Sequence, residues 1–406
     1  MKIERKYPAV FVSAKAERSL RAGHPWLYAE EIGETRGEPV PGGITDVFSS
    51  KGAWLGAGIY SPASKIAVRV LSDNANESFS DAFFERRIRY ALDYRRRVMG
   101  GDFGSCRLVF GESDGLPGVT VDKFEDVLVT QILSLGMEQR KDILYRAMAS
   151  QLAGLGVNIR GIYERSESAL RAKEGLERLS GWYEGLPHTD ETDVIISENG
   201  IKYRVDIANG QKTGFFLDQK YNRRAAARLA NGLRVLDCFT HTGSFALNCA
   251  AAGAEHVTAV DVSESAVALA RSNAGLNGLE GNMDFLAADV FDLLPELAEK
   301  RARYDLVILD PPAFTKSRRT VRSAERGYKE INCRAMRLLP RGGYLATCSC
   351  SHFMEPELFE KMLRSAARDA NVSLREVEVR KQSPDHPILW NVPETEYLKF
   401  YIFQIV

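Results

Sequence analysis

Two apolar segments in the second half of the sequence end in residues that could take part in group transfer to a nucleobase. Residues 304–309 are followed by Asp310 and two prolines, and residues 343–347 are followed by Cys348-Ser349-Cys350. A cysteine thiolate that adds to C6 of cytosine converts the weakly nucleophilic C5 into an enamine carbon, which can attack an activated methyl group. A carboxylic acid such as Asp310 can hydrogen-bond or protonate the ring at N3 as charge develops there. These residue types therefore suit methylation at C5 with a covalent intermediate.

The spacing of the two cysteines does not choose between them as nucleophile. Side chains two residues apart lie on the same face of a strand, so Cys348 and Cys350 would point the same way if the strand continued. Burial of both as core thiols is the alternative interpretation, because free cysteine is among the most buried residue types. A metal site that includes Cys333 is disfavoured, since no second cysteine pair or suitably spaced histidine completes a closed set of ligands. No metal is therefore predicted.

The segment 233–243, with the sequence LRVLDCFTHTG, predicts a buried strand, a tight turn at Gly243 and the start of a helix. In parallel α/β sheets this arrangement forms a crevice for nucleotides. Asp237 closes the strand, and the segment lacks the G-x-G-x-x-G pattern of pyrophosphate binding. A carboxylate at this position suits a ligand that carries an amine. S-adenosylmethionine is such a ligand, and it is the predicted cofactor.

Acidic residues also follow the next two predicted strands, 256–260 and 283–287. Asp261 lies about 20 residues beyond the turn, where a carboxylate commonly binds ribose hydroxyls. Asp289 is placed to accept a hydrogen bond from an adenine amine, and Gln219 is expected with Asp237 at the methionine end. The predicted cofactor-binding residues are Gln219, Asp237, Phe239, Thr240, Thr242, Gly243, Asp261, Val262, Ser263, Asp289, Val290 and Asp310.

Alternating predicted strands and helices across residues 196–406 indicate a Rossmann-like α/β domain whose strand ends carry the site. Residues 1–72 instead contain short apolar segments separated by Gly/Pro turns, a pattern typical of a small β-barrel. Residues 77–195 combine predicted helices at 83–99 and 138–155 with short strands, which indicates an α+β middle domain. The predicted fold class is therefore α/β, with three domains in this order.

Length, charge and cysteine content limit the class of protein. The 406 residues suffice for two or three domains, and 54 Lys and Arg residues balance 54 Asp and Glu residues, so no overall field favours nucleic acid. Six cysteines without paired spacing fit a reducing cytosol better than a disulfide framework. The N-terminal sequence MKIERKYPAV lacks the apolar segment of a signal peptide, and no segment has the length of a membrane span. A cytoplasmic protein without a membrane partner is expected.

Basic residues are concentrated in two places. Six of them lie in the predicted helix 83–99, where a solvated helix face is the preferred interpretation: Arg86, Arg87, Arg89, Arg95, Arg96 and Arg97. A second group follows Asp310, where it could hold RNA phosphates and favour a thiolate: Lys316, Arg318, Arg319, Arg322, Arg326 and Lys329. Phe314, in the same loop, is available to stack on a base. His24 has no evident acidic partner in the sequence, which favours a structural or RNA-facing role over catalysis.

Several segments spread along nearly the whole chain resemble one enzyme family. They are Gly23-His24-Pro25-Trp26, residues 110–118 (FGESDGLPG), residues 212–219 (KTGFFLDQ), residues 327–332 (GYKEIN) and Ser349-Cys350-Ser351. They are similar to motifs of the RlmI family of class I, S-adenosylmethionine-dependent 23S rRNA (cytosine-C5)-methyltransferases. The resemblance implies a PUA domain at 1–72, a class I methyltransferase domain at 196–406 and 23S rRNA as partner. It implies Cys350 as the nucleophile, since Ser-Cys-Ser is the nucleophile motif of that family, and it allows a homodimer.

Two other functions stay open on the sequence. Enzymes that methylate exocyclic base amines use an acid-Pro-Pro-aromatic motif, and Asp310-Pro311-Pro312-Ala313-Phe314 comes within one residue of it. Such enzymes need no cysteine, so Cys350 favours C5 methylation. A non-catalytic RNA-binding assembly factor that retains a methyltransferase fold is the second alternative. The intact acids at the ends of the predicted strands argue against it.

Overall fold

The computed structural model describes residues 7–315 and 317–406. The chain divides into two compact units. Unit 1 comprises Met1–Ile196, Val205–Phe215 and Pro384–Thr395, and unit 2 comprises Ser197–Arg204, Phe216–Ser383 and Glu396–Val406. This division is coarser than the three domains predicted at 1–72, 77–195 and 196–406, whose boundaries stay a prediction.

The first part of unit 1 is a six-stranded sheet with one helix. Its strands are β1 (Ala9–Val12), β2 (Trp26–Tyr28), β3 (Ile32–Arg36), β4 (Ile44–Ser49), β5 (Trp54–Tyr60) and β6 (Ile66–Ser72), in the order β2-β6-β5-β4-β1-β3. Helix α1 (Ala14–Arg21) begins after Ser13, whose hydroxyl accepts a hydrogen bond from Ala16 N at 3.3 Å. The short strands expected from the apolar segments of residues 1–72, at 10–12, 44–48, 54–60 and 66–70, are confirmed as β1, β4, β5 and β6. β2 and β3 lie where no strand is predicted, because β2 is very short and β3 is mostly polar.

The second part of unit 1 combines helices with a five-stranded sheet. Its strands are β7 (Ser105–Phe110), β8 (Val119–Phe124), β9 (Val127–Ile132), β10 (Gly161–Ser166) and β11 (Leu179–Trp182), in the order β11-β10-β9-β8-β7. Its helices are α2 (Asp81–Met99), α3 (Leu135–Glu138) and α4 (Lys141–Gly154). The predicted α+β character is confirmed. The helix predicted at 138–155 begins at Lys141, after the separate short helix α3.

The expectation of a solvated arginine face on α2 is wrong for Arg95. Its side chain is fully buried, binds both carboxylate oxygens of Asp114 and donates to the carbonyl oxygen of Asp385 at 3.0 Å. A guanidinium group carries five donors and can occupy a core only when acceptors surround it. Both acceptor residues lie outside α2, so the periodicity of the helix cannot reveal them. Arg89, Arg96 and Arg97 are exposed as expected.

Unit 2 contains a seven-stranded sheet of the Rossmann-like type. Strands β12 (Asp193–Glu198) and β13 (Ile201–Asp206) and helix α5 (Lys220–Ala227) precede it in the chain. The sheet consists of β14 (Arg234–Cys238), β15 (His256–Asp261), β16 (Met283–Ala287), β17 (Leu306–Leu309), β18 (Tyr344–Ser349), β19 (Leu374–Arg380) and β20 (Lys399–Ile405). The connecting helices are α6 (Ser244–Ala251), α7 (Glu264–Asn277), α8 (Val290–Glu299), α9 (Val321–Leu338) and α10 (Pro356–Ala370). The α/β prediction is confirmed.

The order of the strands determines where a ligand can bind. The order is β16-β15-β14-β17-β18-β20-β19, and it reverses between β14 and β17. Strands β14 to β18 are parallel, and β20 runs antiparallel to its two neighbours. Ligands of such sheets bind beyond the carboxyl ends of the parallel strands, at the reversal. The register pairs Cys238 with Leu309 and Leu309 with Thr347, so that the ends of β14, β17 and β18 meet at one edge.

The core of unit 2 holds these strand ends in place. All four residues of β17 are buried, as expected for a central parallel strand that is covered on both faces. Leu236, Val307 and Leu345 belong to one apolar cluster with residues of α8, α9 and α10. Within residues 7–315 and 317–406, no helix is both long and apolar enough to cross a membrane.

Candidate active site

Asp237 organises the turn that follows β14. Its side chain is fully buried, and Oδ2 accepts hydrogen bonds from Thr240 Oγ1 at 2.5 Å and from Ala246 N at 2.9 Å. The second bond joins the carboxylate to the first turn of α6, where the positive end of a helix dipole favours an anion. Removal from water nevertheless outweighs these bonds, and burial raises the pKa of Asp237 to about 7.

The turn between β14 and α6 has an unusual backbone. Phe239, His241 and Gly243 have positive φ angles of 66°, 51° and 82°. A Cβ atom at Gly243 would lie 3.0 Å from Ala270 Cβ, so the predicted glycine is required by both its φ angle and its close contact with α7. Thr240 and Thr242 are buried in the turn. The structure therefore brings five of the predicted cofactor-binding residues together: Asp237, Phe239, Thr240, Thr242 and Gly243.

The carboxylate of Asp261 joins the end of β15 to the same turn. Its Oδ2 atom accepts from His241 N at 2.9 Å, and Oδ1 accepts from Ser263 N at 3.0 Å. Ser263 in turn caps α7 by accepting from Ala266 N at 3.3 Å. Val262, between them, is 72% exposed.

Asp289 has a structural role at the N-terminus of α8. It is exposed, and its Oδ1 atom accepts from Phe291 N at 2.8 Å, which caps the helix. Val290, the first residue of α8, is buried. A carboxylate oxygen has two lone pairs, so a capping role leaves Asp289 able to accept a further hydrogen bond.

Asp310, Gln219 and Cys348 form a small polar cluster at the ends of β17 and β18. Asp310 Oδ1 accepts from Gln219 Nε2 at 3.0 Å and from Cys348 Sγ at 2.8 Å. Asn222 Nδ2 donates to Gln219 Oε1 at 2.6 Å and orients the amide. Burial raises the pKa of Asp310 above its usual value, although both hydrogen bonds oppose the shift. The group is therefore a carboxyl that can hold or donate a proton closer to neutral pH than an exposed aspartate.

The two cysteines that the sequence leaves equivalent have different environments. Cys348 is buried, and burial together with the neighbouring Asp310 raises the pKa of its thiol well above the usual value. Cys350 follows the last residue of β18 and is half-buried, whereas the other five cysteines are buried. All six lie within the part of the chain that the structure describes. Cys350 is therefore the most accessible thiol, and Cys348 is held as a hydrogen-bond donor to Asp310.

Lys399, the first residue of β20, is a site residue that the sequence analysis misses. It pairs with Ser349 in the antiparallel ladder, is 5% exposed, and donates to Ser351 O at 2.6 Å and Tyr397 O at 2.8 Å. Burial lowers the pKa of Lys399 to about 8, while Cys350 and Cys348 oppose that shift. The available signal was a lysine in the apolar segment 398–406, but only the strand pairing places it near the cysteines.

Hydroxyl groups brace the turn that carries Cys350. Ser349 Oγ donates to Tyr328 OH at 3.0 Å, and Ser351 Oγ donates to Thr315 O at 3.1 Å. Tyr328 is fully buried on α9, and burial raises its pKa to about 12, so it stays protonated. These contacts fix the turn 349–351 to α9 and to the loop after Asp310. Tyr328 belongs to the 327–332 motif, which here has a positioning role.

The basic and aromatic residues after Asp310 are only partly available for RNA binding as predicted. Four of its predicted basic residues are exposed: Arg318, Arg319, Arg322 and Arg326. Lys329 forms an ion pair with Asp369 at 2.6 Å, and Lys316 lies outside the described residues. Phe314, predicted to be available for stacking on a base, is half-buried with its ring centroid 4.6 Å from that of Tyr328. In the described chain, no group of three or more His, Cys, Asp or Glu residues is arranged to hold a metal ion.

Two family models match the chain. The model described as S-adenosylmethionine-dependent methyltransferase matches residues 120–403, and the model described as PUA-like domain matches residues 10–73. The second match agrees with the domain predicted at the N-terminal end, which contains β1 to β6.

Proteins named ribosomal RNA large subunit methyltransferase I are similar to the chain over nearly its whole length. The protein from Aeromonas salmonicida (strain A449) is 41% identical, covering 96% of this chain and 97% of that protein. The protein from Pseudoalteromonas translucida (strain TAC 125) is 42% identical, covering 98% and 99%.

Two solved structures share the fold. A candidate SAM-dependent methyltransferase from Streptococcus mutans has a TM-score of 0.81 at 22% identity, covering 98% of this chain and 99% of that one. The structure of SMU.776, a candidate methyltransferase complexed with SAH, has a TM-score of 0.83 at 22% identity and the same coverage. At this identity the likeness concerns the fold alone.

Proposed function

Because the chain belongs to the family of S-adenosylmethionine-dependent methyltransferases, in which its relatives include ribosomal RNA large subunit methyltransferase I, we propose that it forms 5-methylcytosine in 23S rRNA. The observation that carries the proposal is the environment of Cys350. It is the one half-buried thiol among the six cysteines, all of which are described, and it follows β18 at the edge where Asp310 lies. C5 methylation needs an accessible thiol and an acid at one edge of the sheet.

The residues around Asp237 fit S-adenosylmethionine. Asp237 Oδ1 and Thr242 Oγ1 are buried and have no hydrogen-bond partner among the described residues. A buried polar atom without a partner costs about 1–3 kcal/mol, so both atoms are suited to a polar ligand. We assign Asp237 and Gln219 to the methionine end and Asp289 to the adenine amine. Asp261 is assigned to the ribose hydroxyls, since each of its oxygens keeps a lone pair beyond the bonds to His241 N and Ser263 N.

The chain's own residues supply the covalent part of the reaction. The Cys350 thiolate adds to C6 of cytosine, and the electrons of the C5–C6 double bond move to C5. When bound, S-adenosylmethionine would supply the activated methyl group for C5, with the neutral thioether as the leaving group. Loss of the C5 proton then restores the double bond as the C6–sulfur bond breaks and the thiolate leaves.

Asp310 stabilises the charge that reaches the ring when the thiolate adds. Its raised pKa keeps a proton available, and a protonated carboxyl can donate a hydrogen bond to N3. Cys348 and Gln219 hold one of its oxygens, which orients the carboxyl. Cys348 is thus a positioning residue for Asp310, and its burial keeps its thiol away from the base.

The proposal includes the remaining parts of the molecule. Residues 1–72 are a PUA-like domain that helps to capture RNA, residues 77–195 form a middle domain, and residues 196–406 form the methyltransferase domain. We include a cytoplasmic location and a homodimer. Deletion of 1–72 is expected to weaken RNA binding but leave the affinity for S-adenosylmethionine unchanged, which calorimetry can measure.

The decisive test uses wild-type protein and a 23S rRNA transcript. Mass spectrometry of nucleosides after the reaction should show 5-methylcytosine. With a transcript that carries 5-fluorocytosine, the C5 position cannot lose a proton after methyl transfer, so the protein should stay covalently attached to the RNA in denaturing electrophoresis. A methyl group on the exocyclic amine, with no covalent adduct, would refute the thiolate mechanism and favour amine methylation. Absence of any binding heat with S-adenosylmethionine would instead favour a non-catalytic assembly factor.

A further inference from the structure

The segment Pro384–Thr395 of unit 1 presents an isolated tryptophan to solvent. Trp390 is 96% exposed, although indole is a large apolar group that usually packs against other residues. The residue before it, Leu389, is half-buried and the residue after it, Asn391, is polar and exposed. Trp390 therefore does not belong to a continuous apolar surface formed by its chain neighbours. A single exposed apolar residue is common, so the argument depends on how this one is held.

The tip of the segment is a closed turn. Val392 N donates to Leu389 O at 2.8 Å, which places Trp390 and Asn391 at the two central positions. Thr395 braces the turn from within, since its hydroxyl accepts from Leu389 N at 2.9 Å and donates to Val392 O at 2.7 Å. Val392 is fully buried. The backbone under the exposed indole is therefore fixed.

Buried polar contacts anchor the start of the segment to the second sheet of unit 1. Asp385 is fully buried, and its Oδ2 atom accepts from Arg107 N at 2.8 Å. Arg95 Nη2 donates to Asp385 O at 3.0 Å, and Ser113 Oγ donates to Pro387 O at 2.7 Å. The 110–118 motif and the buried Arg95 therefore hold this segment in place.

The end of the segment is anchored to the loop between α1 and β2. His24 Nε2 lies 3.2 Å from Glu394 Oε2, and Asn391 Nδ2 donates to Gly23 O. The expectation that His24 lacks an acidic partner is therefore wrong, because that partner lies 370 residues away in the sequence. The ring of His24 packs edge-on against Trp26 at 5.3 Å. The motif at residues 23–26 thus supports the same turn.

The helix that precedes this anchor in the chain carries exposed cations. Gly23, which accepts the bond from Asn391, follows the end of α1, whose last turns carry the exposed side chains of Arg18 and Arg21. Lys15, near the other end of α1, is exposed and pairs with Glu31 at 3.3 Å. Arg21 pairs with Glu17 on the helix surface, and an exposed pair of this kind is weak enough to be exchanged for phosphate. An exposed aromatic ring beside cations is the arrangement with which proteins bind unpaired nucleotides.

We infer that Trp390 stacks on an unpaired base of the RNA substrate while the cations of α1 contact neighbouring phosphates. The inference rests on the proposed function, because it takes RNA as the partner. A protein partner would require a continuous apolar patch around the indole, whereas a base requires one flat ring with polar neighbours. Because the turn is already anchored, it loses little conformational entropy when the base binds, and this favours a higher affinity.

The test compares full-length wild-type protein with Trp390→Leu and Trp390→Tyr. The probes are a fluorescein-labelled oligocytidine of about 12 nucleotides and an abasic oligonucleotide of the same length and charge. Trp390→Leu keeps an apolar side chain without an aromatic ring, so binding to oligocytidine should weaken by about tenfold, within the range known for base stacking. Binding to the abasic probe should stay unchanged, since phosphate contacts are retained. Trp390→Tyr should restore most of the affinity for oligocytidine.

Each other outcome is decisive. Equal affinity of wild type and Trp390→Leu for oligocytidine would overturn the inference alone, provided that wild-type protein binds RNA. An equal loss on both probes would also overturn it, because the residue would then act on the fold or on phosphate contacts. Wild-type protein that neither binds oligocytidine nor methylates a 23S rRNA transcript would overturn the inference together with the proposed function. Thermal unfolding of all three proteins should coincide, since the exposed ring contributes little to the native fold.

Discussion

The inner and outer strand ends of the unit 2 sheet use the same residue types in different ways. The inner ends, on β14, β17 and β18, carry Asp237, Asp310 and Cys348, and the pKa of each of these groups is raised by burial. The outer ends carry Asp261, the last residue of β15, and Asp289, which follows β16, and the oxygens of both residues accept backbone N–H groups.

The difference between the inner and outer ends is one of solvation, and it does not follow the proposed roles, because the inner ends include both Asp237, assigned to the cofactor, and Asp310, assigned to the base. A carboxylate that accepts backbone N–H groups near water keeps further lone pairs, with which it can hold hydroxyls or an amine. A carboxyl or thiol that is taken out of water holds its proton to a higher pH than usual, so it is better able to donate a hydrogen bond to a base or to a neighbouring group. Cys350 lies just beyond the inner ends and differs from the buried groups there, because its thiol remains accessible to solvent.

The largest expected effect is a difference in methyl-transfer rate between the alanine variants of Cys350 and Cys348. Cys350→Ala removes the covalent route and should lower the rate of methyl transfer by more than about a thousandfold, while cofactor and RNA still bind. Cys348→Ala should lose less than about tenfold, since only a contact to Asp310 and some packing are lost. Single-turnover rates and the 5-fluorocytosine adduct measure both variants. An adduct that persists in Cys350→Ala and vanishes in Cys348→Ala would transfer the nucleophile role to Cys348.

Asp237→Asn tests whether burial raises the pKa of the Asp237 carboxylate. The pKa of Asp237 in the folded protein is about 7, against 3.8 for the free side chain. The folded state therefore binds the proton more tightly, so this residue's contribution to stability is present below about pH 4 and is lost as the pH rises to about 7. Asparagine can keep both accepted hydrogen bonds without the charge. Between about pH 4 and about pH 7, the free energy of unfolding of wild type should therefore fall by on the order of 2–4 kcal/mol more than that of Asp237→Asn.

Urea unfolding at several pH values without cofactor measures that difference. A constant difference between wild type and Asp237→Asn from acid to alkaline pH would contradict the raised pKa and remove the distinction between inner and outer ends.

Asp261→Ala tests the binding role of the outer ends. Loss of a charge-assisted interaction with the ribose hydroxyls should weaken S-adenosylmethionine binding by roughly 1.5–3 kcal/mol, which calorimetry measures. Asp284→Ala is a matched control, because Asp284 is an exposed carboxylate of β16 that contacts His256 at 2.9 Å. If the two variants bind the cofactor equally well, the assignment of Asp261 is wrong.

Among these substitutions, Lys399→Met should have the smallest effect. It should lower the reactivity of the Cys350 thiol. The charges facing Lys399 are those of Cys350, Cys348 and Glu396, and its own pKa is lowered to about 8. Its ammonium should therefore favour the thiolate below about pH 8 and lose that influence above it. Alkylation of Cys350 by iodoacetamide should slow by roughly threefold to tenfold near neutral pH and converge with wild type in alkali.

Lys381→Met is the control for a loss of charge alone, since Lys381 is an exposed lysine that pairs with Glu396. If Lys399→Met slows alkylation equally at every pH, its role is structural. Arginine at position 399 should restore part of the rate if the positive charge is what matters.

Most of the fold was predictable from local patterns. Five parallel strands of unit 2 lie where apolar segments end in polar residues, and the glycine needed in the turn after β14 was identified at Gly243. The errors have a common cause. Strand β3 is mostly polar, and Arg95 is a charged residue with buried partners, so neither follows the rule that periodicity of apolar residues marks the core.

The candidate site was predictable in outline only. The sequence placed Asp237 and Asp310 at strand ends, and the sheet register brings those ends together. It could not show that Lys399 faces the turn of Cys350, because β20 is inserted antiparallel beside β18 from the far end of the chain. For the same reason the sequence near His24 does not indicate its acidic partner, Glu394, whose carboxylate lies 3.2 Å from the imidazole in the structure.

The sequence by itself determined the class of fold, the cofactor type and the edge of the sheet at which the active site is proposed. These depend on residue periodicity, on turns and on the polar residues at strand ends, all of which are local. Only the tertiary structure decided which thiol is accessible, which carboxyls have a raised pKa and which lysine lies beside the cysteines. Burial and electrostatic interaction depend on atoms contributed by distant segments, and a linear pattern contains no record of their distances.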